Sequence, residues 1–404
     1  MHGVAHHSEA RGYRMTRPLR HFSVLLVLVL LIFAVAATAA SARPAKVSLK
    51  AQLGAAIAYD TDLSNPVGQS CADCHDPLAG FADPDKKYPV SEGATKGLFG
   101  GRNAPSWAYT AWSPVLDFDD AEGLWIGGMF WDGRATGSRL RSPLAEQAQG
   151  PFLNDVEMNM ADAAAVIDVI RHSDYADLFL QVYPATDWDD WATAYDDMAY
   201  AVAEYEASRA VNPFNARFDS YVAGNTAALS SQEQWGLELF NTKAECNLCH
   251  LSEPGMDSTG IATGKALFTD HTYDNLGIPA NPEVWALTTF EDTTDLGLGG
   301  FLRSIGKPDE VWMAEIGKFK VPTLRNIAKT PPYGHNGYFD TLYDIVHFYN
   351  TRDVASEGWP MPEVPETVNT EELGNLELTY EEELAVVAFM RTLTDRAVMP
   401  QPAH

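Results

Sequence analysis

Cysteine is scarce in this chain, with four among 404 residues. All four fall in two copies of one five-residue word, Cys71-Ala72-Asp73-Cys74-His75 and Cys246-Asn247-Leu248-Cys249-His250. None is left over for a disulfide framework or a separate thiolate metal site. One C-x-x-C alone fits a redox dithiol or half a zinc site. Two copies, each followed at once by histidine, fit the attachment of a c-type haem, in which the thiols bond the porphyrin vinyl groups and the histidine reaches the iron. Two covalently bound haem c groups are therefore expected.

Basic residues are also few: 28 Lys and Arg stand against 55 Asp and Glu, a net charge of −27. That balance argues against nucleic acid and against anionic membrane surfaces as partners. Residues 1–42 hold Arg11, Arg14, Arg17 and Arg20 against Glu9, a net of +3, so the remainder carries −30. A surface so acidic either suits a basic patch on a protein partner or is simply solvated and self-repelling.

There is one long apolar run, Phe22 to Ala37, preceded by Arg17, Arg20 and His21 and followed by Ala40-Ser41-Ala42. This is the pattern of a secretory signal peptide over residues 1–42; its length also leaves an uncleaved membrane anchor open. Either way the body is expected outside the cytoplasm, in the periplasm, which agrees with the place where c-type haem is attached.

Strand patterns are lacking too. The expected class is mostly α, with two cytochrome c-like haem domains, long loops and little β structure. The expected domains are 43–218 and 219–404, with the boundary in a loop at Asn212–Asn225. Helices are expected before each haem word (through Leu53–Ile57 and Trp235–Phe240), over about Ala161–Arg171 and Trp188–Ala210, and over Thr341–Asn350 and Thr379–Thr394. Ser230 with Glu233 and Thr379 with Glu382 have capping-box spacing. Long Gly- and Pro-containing loops separate them, as expected of segments that wrap haem edges.

Three further segments stand out: Gly101-Arg102-Asn103-Ala104-Pro105-Ser106, Phe130-Trp131-Asp132-Gly133-Arg134-Ala135, and Val321-Pro322-Thr323-Leu324-Arg325-Asn326 running on to Pro332-Tyr333-Gly334-His335-Asn336-Gly337. With the two haem words in this order, the chain resembles the bacterial dihaem cytochrome c peroxidases and their MauG relatives over about residues 48–395. The resemblance implies an oxidoreductase that takes hydrogen peroxide at the N-terminal haem, held by His75. It implies a protein substrate, or a small redox protein as donor, served through the C-terminal haem, held by His250.

The resemblance also assigns roles. Many family members carry a displaceable distal histidine near the position of Ser91, but no histidine lies between His75 and His172 in this chain. The first iron is thus expected to keep an open position, with a remote residue such as His172 as the alternative. Gln147, Pro151 and Glu157 correspond to the distal pocket, after a short insertion at Thr136–Ser142. A carboxyl there can relay a proton from the near to the far oxygen of peroxide; read blandly, Glu157 and Gln147 are exposed helix residues. The second iron's other ligand is a methionine in ordinary members. The matching position, fourteen residues after His335, is Tyr349, as in the MauG branch. A tyrosine is a harder donor than a thioether and favours oxidised iron; Met361 is the competing ligand. Trp131 corresponds to the tryptophan between the haems. Asn103, with the carbonyls of Thr330 and Pro332, matches an inter-haem calcium site, and oxygen donors suit that cation. His335 is expected to hydrogen-bond in the inter-haem region. Arg134 and Arg325 are candidates for haem propionate contacts, with structural salt bridges as the alternative. The competing functions are a cytochrome c peroxidase of the ordinary kind and a non-catalytic dihaem electron carrier.

Overall fold

The computed structural model describes residues 47–256, 262–288 and 294–396, so the segment expected to direct export lies outside the described residues. In chain order the helices are α1 (Leu49–Ala58), α2 (Cys71–Cys74), α3 (Pro143–Leu153), α4 (Ala163–His172), α5 (Ala176–Val182), α6 (Trp191–Glu206), α7 (Arg217–Val222), α8 (Ser231–Phe240), α9 (Pro282–Leu287), α10 (Gly297–Ser304), α11 (Asp309–Trp312), α12 (Leu342–Thr351) and α13 (Tyr380–Arg391). Among the described residues, strands form three antiparallel pairs: β1 (Asp117–Asp119) with β2 (Leu124–Ile126), β3 (Pro254–Met256) with β4 (Ala262–Ala266), and β5 (Tyr273–Asp274) with β6 (Phe319–Lys320). The mostly helical class is as expected. No helix among the described residues is long and apolar enough to cross a membrane.

Local chemistry explains the helix starts. Ser230 accepts the Glu233 N–H while the Glu233 carboxylate accepts the Ser230 N–H, and Thr379 and Glu382 repeat the pattern at α13. Helix α3, which carries the distal candidates, has Ser142 as N-cap and Pro143 in its first turn. The insertion before it is pinned down: Glu146 accepts the N–H groups of Gly137, Arg139 and Leu140. The expected loop at Asn212–Asn225 is in fact interrupted by α7, whose Phe218 and Asp219 are buried. The expected boundary between 218 and 219 falls inside this helix, so the chain leaves one core for the next through a helical turn.

Two large apolar cores follow the sequence halves. One gathers Leu53, Ile57, Phe152, Val166, Ile170, Met198 and Val202. The other gathers Phe218, Phe240, Phe268, Phe348, Val386 and Phe389. Each is built on one helix crossing, α1 on α6 and α8 on α13. The crossings use the same device. A Cβ on Gly54 would lie 1.9 Å from the Ala201 carbonyl oxygen and 2.9 Å from Tyr205 Cβ; a Cβ on Gly236 would lie 1.9 Å from the Ala385 oxygen and 2.9 Å from Phe389 Cβ. In an exposed helix, Gly→Ala gains about 1 kcal/mol. Here the added methyl meets backbone, and overpacking of about 1–3 kcal/mol or more outweighs that gain. Gly236→Ala is expected to lower the thermal midpoint of the holoprotein; an unchanged or raised midpoint would show that the crossing can open at little cost.

Candidate active site

Each haem word sits in a turn behind its crossing helix, and the same two devices fix each histidine. His75 Nδ1 lies 3.1 Å from the Phe81 carbonyl oxygen, and His250 Nδ1 lies 2.9 Å from that of Phe268. Both phenylalanines have left-handed backbone, with φ of 62° and 55°, a geometry uncommon for such residues. The Pro105 and Pro322 carbonyls give second backbone contacts to His75 and His250. Behind them, Ser106 Oγ donates to the Gly80 carbonyl at 2.7 Å and Thr323 Oγ1 to that of Leu267 at 2.6 Å. A proton held on Nδ1 leaves Nε2 as the ligand atom. Burial pushes both imidazoles down to about 4, against the pull of those carbonyls, so both are neutral at ordinary pH.

The four cysteines are free of disulfides. Burial raises all four thiols, Cys74 and Cys246 to about 12. Each word opens onto its own cavity, lined by Cys71, Cys74 and His75 in one case and by Cys246, Cys249 and His250 in the other. An apolar wall, paired thiols and a neutral histidine with Nε2 free are the donor set a haem needs, so the residues fit that group.

In the first cavity stand Gln147, Pro151 and Glu157, together with Arg134. The two bland readings thus give way to a shared cavity. Burial raises the Glu157 carboxyl, while the Arg134 charge and a hydrogen bond with Asn154 oppose the rise. Arg134 itself pairs with Asp132 at 3.0 Å and lies over the Phe130 ring. His172 is exposed at the end of α4, its Nδ1 against the Asp168 carbonyl, and does not line this cavity.

The second cavity contains Tyr349, half-buried on α12, whose phenol is held above its usual range by burial and by the neighbouring Cys246, Cys249 and Asp274. Met361 is 76% exposed and takes no part in the lining. Arg325 also lines this cavity, but its guanidinium is already committed. Nη1 and Nη2 reach Asp219 at 2.7 and 3.0 Å, Nε and Nη2 reach the Ala266 carbonyl, and the side chain is 0% exposed. Of the two readings of Arg325, the structure contains the salt bridge.

Trp131, Asn103 and His335 line both cavities. Trp131 Nε1 donates to the Asn103 carbonyl at 2.9 Å. Asn103 Nδ2 donates to the Pro89 carbonyl, which leaves its Oδ1 as an acceptor in the same space as Thr330 and Pro332. The His335 carbonyl accepts the Asn103 N–H at 2.8 Å, while its imidazole is held differently. Its ring stacks on Phe319, with centroids 3.5 Å apart, and Nε2 lies 3.8 Å from Glu363 with no hydrogen-bond partner.

The sequence reading missed several lining groups. Arg102 is clamped between Asp132 and Asp295, each at 2.7 Å. Glu206, 2% exposed and with Oε2 unpartnered, enters the first cavity where the second crossing places Met390. Lys320 and His271 enter the second cavity. The readable signal was for Arg102, which stands in the segment Gly101–Ser106.

Known proteins share this arrangement. Residues 48–227 match the di-haem cytochrome c peroxidase family. The chain is 36% identical over 377 residues to the methylamine utilization protein MauG of Paracoccus denitrificans, covering 89% of this chain and 91% of that one. It is 30% identical over 295 residues to the cytochrome c551 peroxidase of Pseudomonas aeruginosa, covering 73% and 70%. Among solved structures, the diheme peroxidase BthA from Burkholderia thailandensis superposes with a TM-score of 0.75 at 32% identity, over 87% of this chain and 88% of that one. A MauG-like protein associated with microbial copper homeostasis superposes at 0.63 with 26% identity, over 88% and 92%. With two haem-shaped cavities on a duplicated frame and these relatives along most of its length, the chain belongs to the bacterial di-haem cytochrome c peroxidase and MauG family of oxidoreductases acting on hydrogen peroxide.

Proposed function

We propose that this chain is an exported, periplasmic peroxidase of the MauG-like kind. On this reading residues 43–218 and 219–404 form two haem domains, each holding its haem covalently through its Cys-x-x-Cys-His word. Peroxide reacts on the His75 side, and a protein substrate or small redox protein is served from the His250 side. The observation that carries this reading is the contrast between the cavities: a carboxyl, Glu157, lines one and a phenol, Tyr349, lines the other.

When bound, the haem irons supply the ligand-binding and redox chemistry. The chain's own groups do the rest. His75 Nε2 and His250 Nε2 are aimed by their carbonyl-bound Nδ1 atoms. Gln147 holds the peroxide by hydrogen bonds, Pro151 shapes the pocket, and Glu157 moves the proton from the near to the far oxygen. A carboxyl raised by burial is suited to both taking and giving that proton. Tyr349, on the same cavity as His250, would supply the second iron's other ligand. The Trp131 indole lies on both cavities and would divide one long electron transfer into two short ones. Asn103 Oδ1 with the Thr330 and Pro332 carbonyls would hold a calcium ion.

The test is the EPR spectrum of the diferric protein before and after stoichiometric hydrogen peroxide. One high-spin and one low-spin signal, both lost as a near-infrared charge-resonance band grows in, is the expected result. Two low-spin signals that ignore peroxide until the protein is half-reduced would mean a cytochrome c peroxidase of the ordinary kind. Two that never respond would mean an electron carrier. Tyr349→Met is expected to abolish the near-infrared band with both haems still attached; survival of the band would remove Tyr349 as the ligand.

A further inference from the structure

Among the described residues, two cationic side chains line the second cavity, Arg325 and Lys320. Arg325 is neutralised by Asp219. Lys320, on β6, is not neutralised by contact. Its Nζ donates to two neutral acceptors, the Gly127 and His271 carbonyls, at 3.2 Å each. The nearest carboxylate to influence it, Asp270, spends Oδ1 on the N–H and hydroxyl of Thr272. Beside Lys320 stands His271, 6% exposed, whose Nε2 has no hydrogen-bond partner. A half-buried ammonium met by two carbonyls and the Tyr273 ring, beside a buried imidazole nitrogen without a partner, is a pair that an anion in the cavity would answer.

We propose that Lys320 and His271 are the carboxylate-binding pole of the second cavity and hold a propionate of the haem attached at Cys246 and Cys249. The thioether bonds fix one edge of the porphyrin, and the propionates project from the other. An anion there neutralises Lys320 and gives His271 Nε2 a partner in one step. The Lys320 backbone N–H donates to the Trp131 carbonyl at 2.8 Å, so the same short strand joins this pole to the residue between the cavities.

This inference rests on the assignment of a covalent haem to the second word, and its test separates the two. Full-length holoprotein is prepared as wild type, Lys320→Met, Lys320→Gln and Lys320→Arg. Intact mass gives haems per chain, redox titration gives each haem's midpoint potential, and resonance Raman gives the propionate bending bands. Loss of the positive charge favours the ferric state. The Met and Gln variants are therefore expected to lower the second haem's midpoint and shift its propionate band, with the first haem unchanged; Arg is expected to restore both. An unmoved midpoint and band in a two-haem Gln or Met variant would overturn the proposal. A wild-type mass with no haem on the second word would instead overturn the assignment beneath it.

Discussion

Glu157→Gln is expected to slow the reaction with hydrogen peroxide by about 10²–10⁴-fold, the usual worth of a positioned acid–base group. Glutamine keeps the shape and the hydrogen-bonding reach of the side chain but cannot carry a proton from one oxygen to the other. Asp132 is spent on Arg102 and Arg134, and Asp295 is spent on Arg102; Glu206, with an unpartnered Oε2, also lines the cavity. Stopped-flow mixing with peroxide at several concentrations measures the effect, because the loss belongs in the bimolecular step. Haem content and the resting spectrum should stay as in the wild type. An unchanged rate would return Glu157 to the role of an ordinary helix-end carboxylate.

Asp219→Ala is expected to cost about 3–5 kcal/mol of stability, the range for leaving one member of a buried ion pair without its partner. Arg325 cannot shed its charge, and it is enclosed by Tyr109, Phe214 and Phe268, whose rings lie 4.8–5.7 Å from its Cζ. After the substitution, the Ala266 carbonyl would be its remaining hydrogen-bond acceptor among the described residues. The urea midpoint of the holoprotein reads the loss. A companion variant, Asp219→Leu with Arg325→Met, removes both charges and should recover most of it, since apolar replacement of a whole buried pair is often neutral. Equal loss in the single and double variants would mean that shape, not charge, matters at this site.

These two residues show what the sequence could and could not carry. Glu157 was legible because it follows a motif at family spacing. The haem words were legible because their chemistry is local: five consecutive residues hold both thiols and the ligand. Helices α8 and α13 were legible because a capping box and an apolar stripe are written within a few positions. Arg325 was legible as a charge near a haem motif but not as a buried ion pair, because its partner is 106 positions away on a helix of six residues. That helix was itself read as loop, being too short to show a period. Lys320 and His271 escaped for the same reason: neither is unusual until the fold closes a cavity on both. The strands escaped because pairs of two to five residues leave no alternation to count.

The matched helix crossings are one arrangement used twice. Gly54 against Ala201 matches Gly236 against Ala385, with one carbonyl on a left-handed phenylalanine behind each histidine. The two halves repeat one scaffold, each with its own glycine-paired helix crossing and its own histidine–carbonyl contact. Each half can therefore be read against the other, and the places where they disagree show where the two sites differ. His75 is stacked on Trp107, where the other half has Leu324; Glu206 faces one cavity where Met390 faces the other. The scaffold is shared while the groups around each metal-binding face are not. One repeated frame thus presents two differently furnished cavities in a single chain.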